Sequence, residues 1–273
     1  MGKVQDEIRD GVSSSGSILA SWKAAIASYH FWWRFGVMDI RLRYRRTVLG
    51  PFWITLSFGV SSFALTIVFS TLFKMSTQSY FAYLISGLAV WTLISSMITE
   101  GCTIFINQGS LMQQYPLPIL SYALRSIVVT FLVFLHNLAV VVVALLLFHA
   151  EFGWATLAVI PGLALILLNG AWMAMLFGML CARFRDLPQI ITTLVSIVFF
   201  VTPVFWYKDM LGTRGYIAEL NPLYSLLELV RSPLLGTLPS TKAIVTALVM
   251  TIAGWIVTFL YARRFQAKLA YWV

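Results

Sequence analysis

Negative charge is scarce in this chain: ten Asp and Glu stand against nineteen Lys and Arg in 273 residues. All charged residues together make 11% of the sequence, whereas a soluble domain carries about 25%. So few charges cannot cover a water-facing surface, which excludes an ordinary soluble domain. The two cysteines, Cys102 and Cys181, each lie inside an apolar segment. They make no CxxC pair and no metal spacing, so they read as buried, inert thiols. No His/Asp/Glu metal spacing and no Ser-His-Asp arrangement is visible, so hydrolytic chemistry lacks its groups. There is no G-x-x-x-x-G-K-[ST], hence no loop to cradle a nucleotide's phosphates. The first residues, MGKVQDEIRDGVSSSGS, have no apolar core of the kind a secretory signal needs. Asp6 stands where a myristoylation motif wants Ser or Thr.

Long apolar runs are what the chain has. A bilayer-spanning helix takes about 20 mostly apolar residues. Six candidates are expected, at about 51–73, 80–106, 122–148, 155–182, 188–207 and 243–262. The expected fold is therefore all-α and integral to a membrane, with the cations in short clusters between spans. Fourteen of the nineteen Lys and Arg then fall on the side that carries both termini. That asymmetry places both termini in the cytoplasm. Clusters of this sort write topology, whereas a nucleic-acid binder spreads its cations over a water-facing surface, so nucleic acid is not expected as a partner.

The connection before the last span, about 208–240, is far longer than the other outer ones. Asn221-Pro222 is a helix start, an N-cap with proline at the first helical position. Leu223, Leu226, Leu227 and Val230 follow as an apolar stripe, and Gly236 and Pro239 can end it. One or two short amphipathic helices at the outer surface are expected there.

Residues 41–53 read RLRYRRTVLGPFW, with four arginines in six positions. Taken as a helix from His30, the segment puts Phe31, Phe35, Met38, Leu42 and Leu49 in a narrow arc. Arg34, Arg41 and Arg45 flank it on one side, and Asp39, Arg43 and Arg46 on the other. This is an amphipathic helix in the interface plane, broken by Gly50-Pro51 before the first span. Simple positive-inside anchoring would explain the arginines, and so would docking of a partner.

The string DIRLRYRRTVLGPFW, residues 39–53, resembles the signature of the membrane subunits of ATP-binding-cassette polysaccharide exporters. Those proteins export O-antigen, capsule and teichoic acid polymers. The QQYPLP stretch, residues 113–118, and the order of spans are similar as well. The resemblance implies a homodimeric channel in the bacterial inner membrane. Two copies of a separate ATPase subunit, which binds the ATP and Mg²⁺, would drive it; no cofactor is expected in this chain. The cargo would be a lipid-linked polysaccharide, O-antigen before capsule or teichoic acid. An exporter of small lipophilic molecules or drugs with the same architecture is the alternative.

The resemblance also divides the chain. Residues 1–29 form a cytoplasmic tail, 30–50 the interface helix and 51–273 the six-span domain. A coupling helix is implied at about 108–118 and outer gate helices at about 208–240. Arg41, Arg43, Tyr44, Arg45, Arg46, Gln113, Gln114 and Tyr115 would then meet the ATPase. The third cytoplasmic feature, Arg183, Arg185 and Asp186, reads as a solvated turn.

Within the spans only Glu100 and His136 are conspicuous ionisable groups, and each fits local hydrogen bonding as readily as transport. A proton-driven transporter would want several buried carboxylates, and a membrane transferase an acid–base set. Aromatic residues are plentiful: 20 Phe, 11 Tyr and 10 Trp. Interfacial belts and core packing account for many. The run IVFFVTPVFWY, residues 197–207, is harder to place so. Sugar C–H faces stack on aromatic faces without strong hydrogen bonds, so a polymer can slide past them. Trp53, Phe58, Phe199, Phe200, Phe205, Trp206 and Tyr207 are the candidates to line a polymer's path.

Overall fold

The computed structural model describes residues 18–45, 50, 52–114, 117–147 and 153–273, and these are helical with short connections. Two helices precede the first span, α1 (Ile18–Ala27) and α2 (Tyr29–Arg43). They are followed by α3 (Phe52–Leu72), α4 (Thr77–Asn107), the short α5 (Gly109–Gln114) and α6 (Ile119–Leu147). A 3-10 turn at Trp154–Ala158 leads into α7 (Val159–Arg183), and α8 (Leu187–Val201) comes next. A second 3-10 stretch, Lys208–Arg214, precedes α9 (Tyr216–Glu219) and α10 (Pro222–Leu234). The chain closes with α11 (Thr241–Phe265) and a last turn, α12 (Leu269–Trp272).

Five of these helices, the 3-10 turn into α7 counted with it, are long and apolar enough to cross a membrane: α3, α4, α6, α7 and α11. The expected fifth span, 188–207, differs. Its helix α8 stops at Val201 and is about 22 Å long at 1.5 Å per residue. The cause is local. Pro203 disfavours helical backbone at Thr202, which takes ψ 132°. Residues 202–207 then continue as non-helical chain.

The centre of the bundle is α4, whose buried residues run from Tyr80 to Phe105. It packs on α7 through small residues. A Cβ on Gly101 would stand 2.6 Å from Ala174 Cα, and one on Gly178 would meet the Phe105 ring at 2.9 Å. The Gly170–Ala174–Gly178 stripe is thus a close-approach seam, as small-residue stripes in membrane helices are. The free thiols of Cys102 and Cys181 face each other across it.

The first span, α3, inverts the usual amphipathic pattern. Its buried residues are Ser62, Thr66 and Ser70, spaced by four. Thr66 donates to its own helix at Ser62 O (2.8 Å), so this hydroxyl needs no distant partner. Phe52, Trp53, Phe63 and Val68 face outward and are exposed. No residue of α8 is buried at all.

Capping follows the sequence. Ser76 caps α4, Ser240 caps α11, and Asn221 Oδ1 accepts from Leu223 N at 3.0 Å with Pro222 at the first position of α10. The stripe on α10 is buried at Leu226, Leu227 and Val230, and α10 packs against α4, α7 and α11. It is therefore part of the bundle and does not lie loose on a surface.

Candidate functional site

The bundle has a basic end and a far end. At the basic end, α2 crosses α6 at Gly36, where a Cβ would stand 2.7 Å from Val128 Cγ1. That approach turns Asp39 towards α6, so Asp39 is not a solvated flank residue. Arg125 clamps it with both arms of its fork, Nε to Oδ2 at 2.7 Å and Nη2 to Oδ1 at 2.6 Å. The third arm, Nη1, donates to Gln108 Oε1 at 3.0 Å, and the guanidinium lies 5.3 Å from the Phe35 ring centroid. Bidentate pairs of this kind fix orientation as well as distance. Beside it Arg43 reaches Glu100 at 3.5 Å. Asp39, Arg43, Glu100, Gln108 and Arg125 line a polar cleft of about 220 Å³.

The sequence-selected basic residues divide here. Arg41 and Arg45 are exposed, Arg43 shares itself with Glu100, and Tyr44 is half-buried. Arg46 and Tyr115 lie outside the described residues. Gln113 and Gln114 are exposed on α5, within the range expected for the coupling helix. This helix is braced from behind. A Cβ on its Gly109 would meet Val273, Arg185 Nη2 donates to Trp272 O at 2.6 Å, and Arg183 lies 5.1 to 5.5 Å from the Phe184, Phe265 and Trp272 rings. The Arg183–Arg185 turn is thus joined to α12, where the sequence suggested only solvent.

At the far end, the 202–207 segment lies against α4 and α10. Tyr83 Oη shares its proton between Pro203 O (3.1 Å) and Trp206 O (2.9 Å), and Tyr80 Oη donates to Phe205 O. Arg231 Nη1 also donates to Pro203 O, and Asn221 Nδ2 to Thr202 Oγ1 at 2.7 Å. Around them the rings close up. Tyr207 stacks on Tyr83 at 3.9 Å between centroids, while Phe199 lies 5.6 Å from both Trp91 and Phe205. Phe69 of α3 joins at 5.1 Å from Phe205.

Of the seven aromatic candidates, Phe199, Phe200, Phe205, Trp206 and Tyr207 belong to this cluster. Phe200 is its most open member, 66% exposed. Trp53 is exposed too, but it opens α3, about 24 Å from Phe69 at 1.5 Å per residue. Phe58 is half-buried against the core, between the two. Burial lifts the Tyr224 hydroxyl above the usual phenol range, so it stays neutral.

Sequence reasoning missed the partners. Arg125 is a lone cation in an apolar run, and Arg231 sits inside LLELVRSPLL; each is a signal that a buried charge needs company. His136 is a simpler case. Its Nδ1 lies 2.7 Å from Leu132 O, an oxygen that only accepts, so this nitrogen carries the proton in a bond within α6.

Both polar anchorages fall within residues 32–235, which match the ABC-2 type transporter family. An O-antigen export system permease protein RfbA of Klebsiella pneumoniae is 24% identical over 224 residues, 79% of this chain and 86% of that protein. A second Klebsiella pneumoniae RfbA is 24% identical over 194 residues, 69% of this chain and 74% of its own. An RfbA of Myxococcus xanthus is 24% identical over 198 residues, with the same two shares, 69% and 74%. With well over half of the sequence matched and five helices fit to cross a bilayer, the chain is a multi-pass membrane protein that belongs to the ABC-2 type transporter family.

Proposed function

We propose that this chain is the channel-forming permease of an ATP-driven exporter that carries lipid-linked polysaccharide, O-antigen by analogy with its relatives, across the bacterial inner membrane. The observation that carries the mechanism is the pair of helices with free faces. Both α3 and α8 pack on α4, and both turn large apolar side chains away from the bundle. Two copies of the chain meeting at these faces would enclose a path flanked by Phe200 and Trp53. Rings there give a sugar polymer stacking surfaces it can leave as easily as it finds them.

The sixth crossing is made by α8 together with residues 202–207. Arg185, just before α8, is bonded to Trp272 at the basic end, and Tyr207 stacks on Tyr83. Tyr83 and Gln108 are about 37 Å apart along α4, enough for a bilayer core of about 30 Å. The sequence divides its Lys and Arg fourteen to five between the two sides, and on that asymmetry the basic end is the cytoplasmic one.

Force arrives there. A partner ATPase, with its own ATP and Mg²⁺, would receive α5 in a groove and meet α2 through Arg41 and Arg45. Movement of α5 passes to α4, to α6 through Gln108 and Arg125, and to α12. The chain's own work is to hold these levers and to line the path.

The test is export in a strain lacking the native permease. The chain expressed with its ATPase subunit should restore surface polysaccharide, and Trp53→Leu with Phe200→Leu should lower export at unchanged protein level. The purified chain alone should hydrolyse no ATP. Polysaccharide export without any ATPase subunit, or turnover by the chain alone, would refute the reading.

A further inference from the structure

Non-helical backbone at membrane depth is tolerated only where its polar groups are satisfied by protein or by enclosed water. In the 202–207 segment the satisfying groups are side chains of the two elements behind it, Tyr80 and Tyr83 of α4 and Arg231 of α10. Arg231 is the unusual member. It is 5% exposed, yet it forms no ion pair among the described residues. Its guanidinium lies 4.4 Å from the Tyr83 ring centroid and 5.7 Å from that of Tyr224. Gly87 makes room for it: a Cβ there would stand 3.0 Å from Val204 O and 3.6 Å from Arg231 Nη1.

The grip on this segment is thus built from one cation, neutral rings and carbonyl oxygens. Its release strands no carboxylate. Glu228 precedes Arg231 by three residues, so the two share a side of α10, and Glu228 now accepts from Ser240 N at 3.1 Å. No residue of α8 is fully buried; its far end is held by Phe199, 5.6 Å from the Trp91 ring, and by the 202–207 segment that follows.

We propose that Arg231, with Tyr83, is a latch that holds the far end of α8 shut against α4 and α10. Its release opens the outward end of the path. Arg231 is a positioning residue in this scheme and does not touch the cargo. The inference rests on the reading of α3 and α8 as walls of that path.

The test uses the full chain in liposomes, without ATPase or nucleotide, as wild type, Arg231→Gln and Tyr83→Phe. Two readouts are taken: amide hydrogen exchange, and release of a trapped fluorescent dye that does not cross bilayers. In both variants exchange within 202–207 should quicken about tenfold while α4 and α10 keep their protection. Dye release should rise above that of wild type. Unchanged exchange in 202–207 would overturn the latch. So would a rise spread over α4 and α10, which would make Arg231 an ordinary core residue. Local loosening with no dye release would overturn the opening step. Should Arg231→Gln fail to accumulate, Tyr83→Phe and Arg231→Lys, which keeps the charge but loses the fork, decide the matter by the same two readouts. The conduit reading is judged separately, on export by the unmodified chain with its ATPase.

Discussion

Two anchorages hold the helix α2 and the 202–207 segment to α4 and its neighbours, and they use opposite chemistry. At the basic end the helix α2 is tied by carboxylates to guanidinium groups, Asp39 to Arg125 and Glu100 to Arg43. At the far end the 202–207 segment is tied by phenol hydroxyls and one arginine to carbonyl oxygens. Both sites place a glycine at the point of closest approach, Gly36 in one and Gly87 in the other. The difference teaches what each joint does. Ion pairs fix one geometry and punish the loss of a partner. Hydrogen bonds from rings to backbone can be exchanged one by one.

The largest effect is expected where charge is lost from the buried pair. Arg125 keeps 11% of its side chain exposed and Asp39 28%. Arg125→Ala leaves Asp39 and Gln108 without their donor, so a loss of about 3 kcal/mol is expected in the unfolding of the purified chain in detergent. Asp39→Asn keeps the shape and one acceptor oxygen, and it should cost less. If the two variants cost the same and the double variant costs their sum, the pair is not a clamp.

Next come the glycines. Gly36→Ala drives a methyl group into Val128 and towards Arg125 O at 3.3 Å, inside a seam of two packed helices. Overpacking of that kind costs about 1–3 kcal/mol. Gly87→Ala meets Val204 O at 3.0 Å, in a segment that can shift outward. Thermal unfolding should therefore show the larger drop for Gly36→Ala. The reverse order would mean that 202–207 is the more rigid of the two joints.

Much of the architecture was legible in the sequence because it is written locally. The Asn221-Pro222 start of α10 and the short helix after Gln108 need only neighbours along the chain. The span at 188–207 was read by apolar content, which Thr202-Pro203 does not lower; the proline's effect on the preceding backbone decided the outcome. The two anchorages were illegible for another reason. Asp39 and Arg125 are 86 positions apart, and Tyr83 and Pro203 are 120 apart. A sequence announces that a lone arginine in an apolar run needs company, without saying whose.

A smaller effect is expected at Glu100. The Arg43–Glu100 pair is 3.5 Å long with 46% and 35% of the side chains exposed. Half-exposed pairs contribute about 0–1 kcal/mol and are screened by salt. Glu100→Gln should lower the unfolding temperature slightly in dilute buffer and not at all in about 1 M salt, where the Debye length is about 3 Å. Salt sensitivity of 202–207 exchange, by contrast, would argue that the far joint is ionic after all.

The smallest effect concerns acid at the far end. Lys242 Nζ donates to Glu219 Oε2 at 2.7 Å, tying α11 to α9, and Lys208 lies 3.6 Å from the other oxygen. The Lys242 hydrogen bond and charge, then Lys208, hold the Glu219 carboxyl below its ordinary value of 4.5. A carboxyl with a depressed folded value stabilises above its unfolded value, and that contribution is lost as pH falls through the folded one. Wild type should therefore unfold slightly later than Glu219→Gln at pH 7, and the gap should close as pH drops below about 4.5. Unfolding midpoints of both proteins across that range measure it. The same acid series sharpens the contrast between the joints, because the Arg231 latch contains no carboxylate. If exchange in 202–207 also changes as Glu219 takes up its proton, the latch is poised electrostatically by its acidic neighbour, and the division into an ionic joint and a neutral one fails.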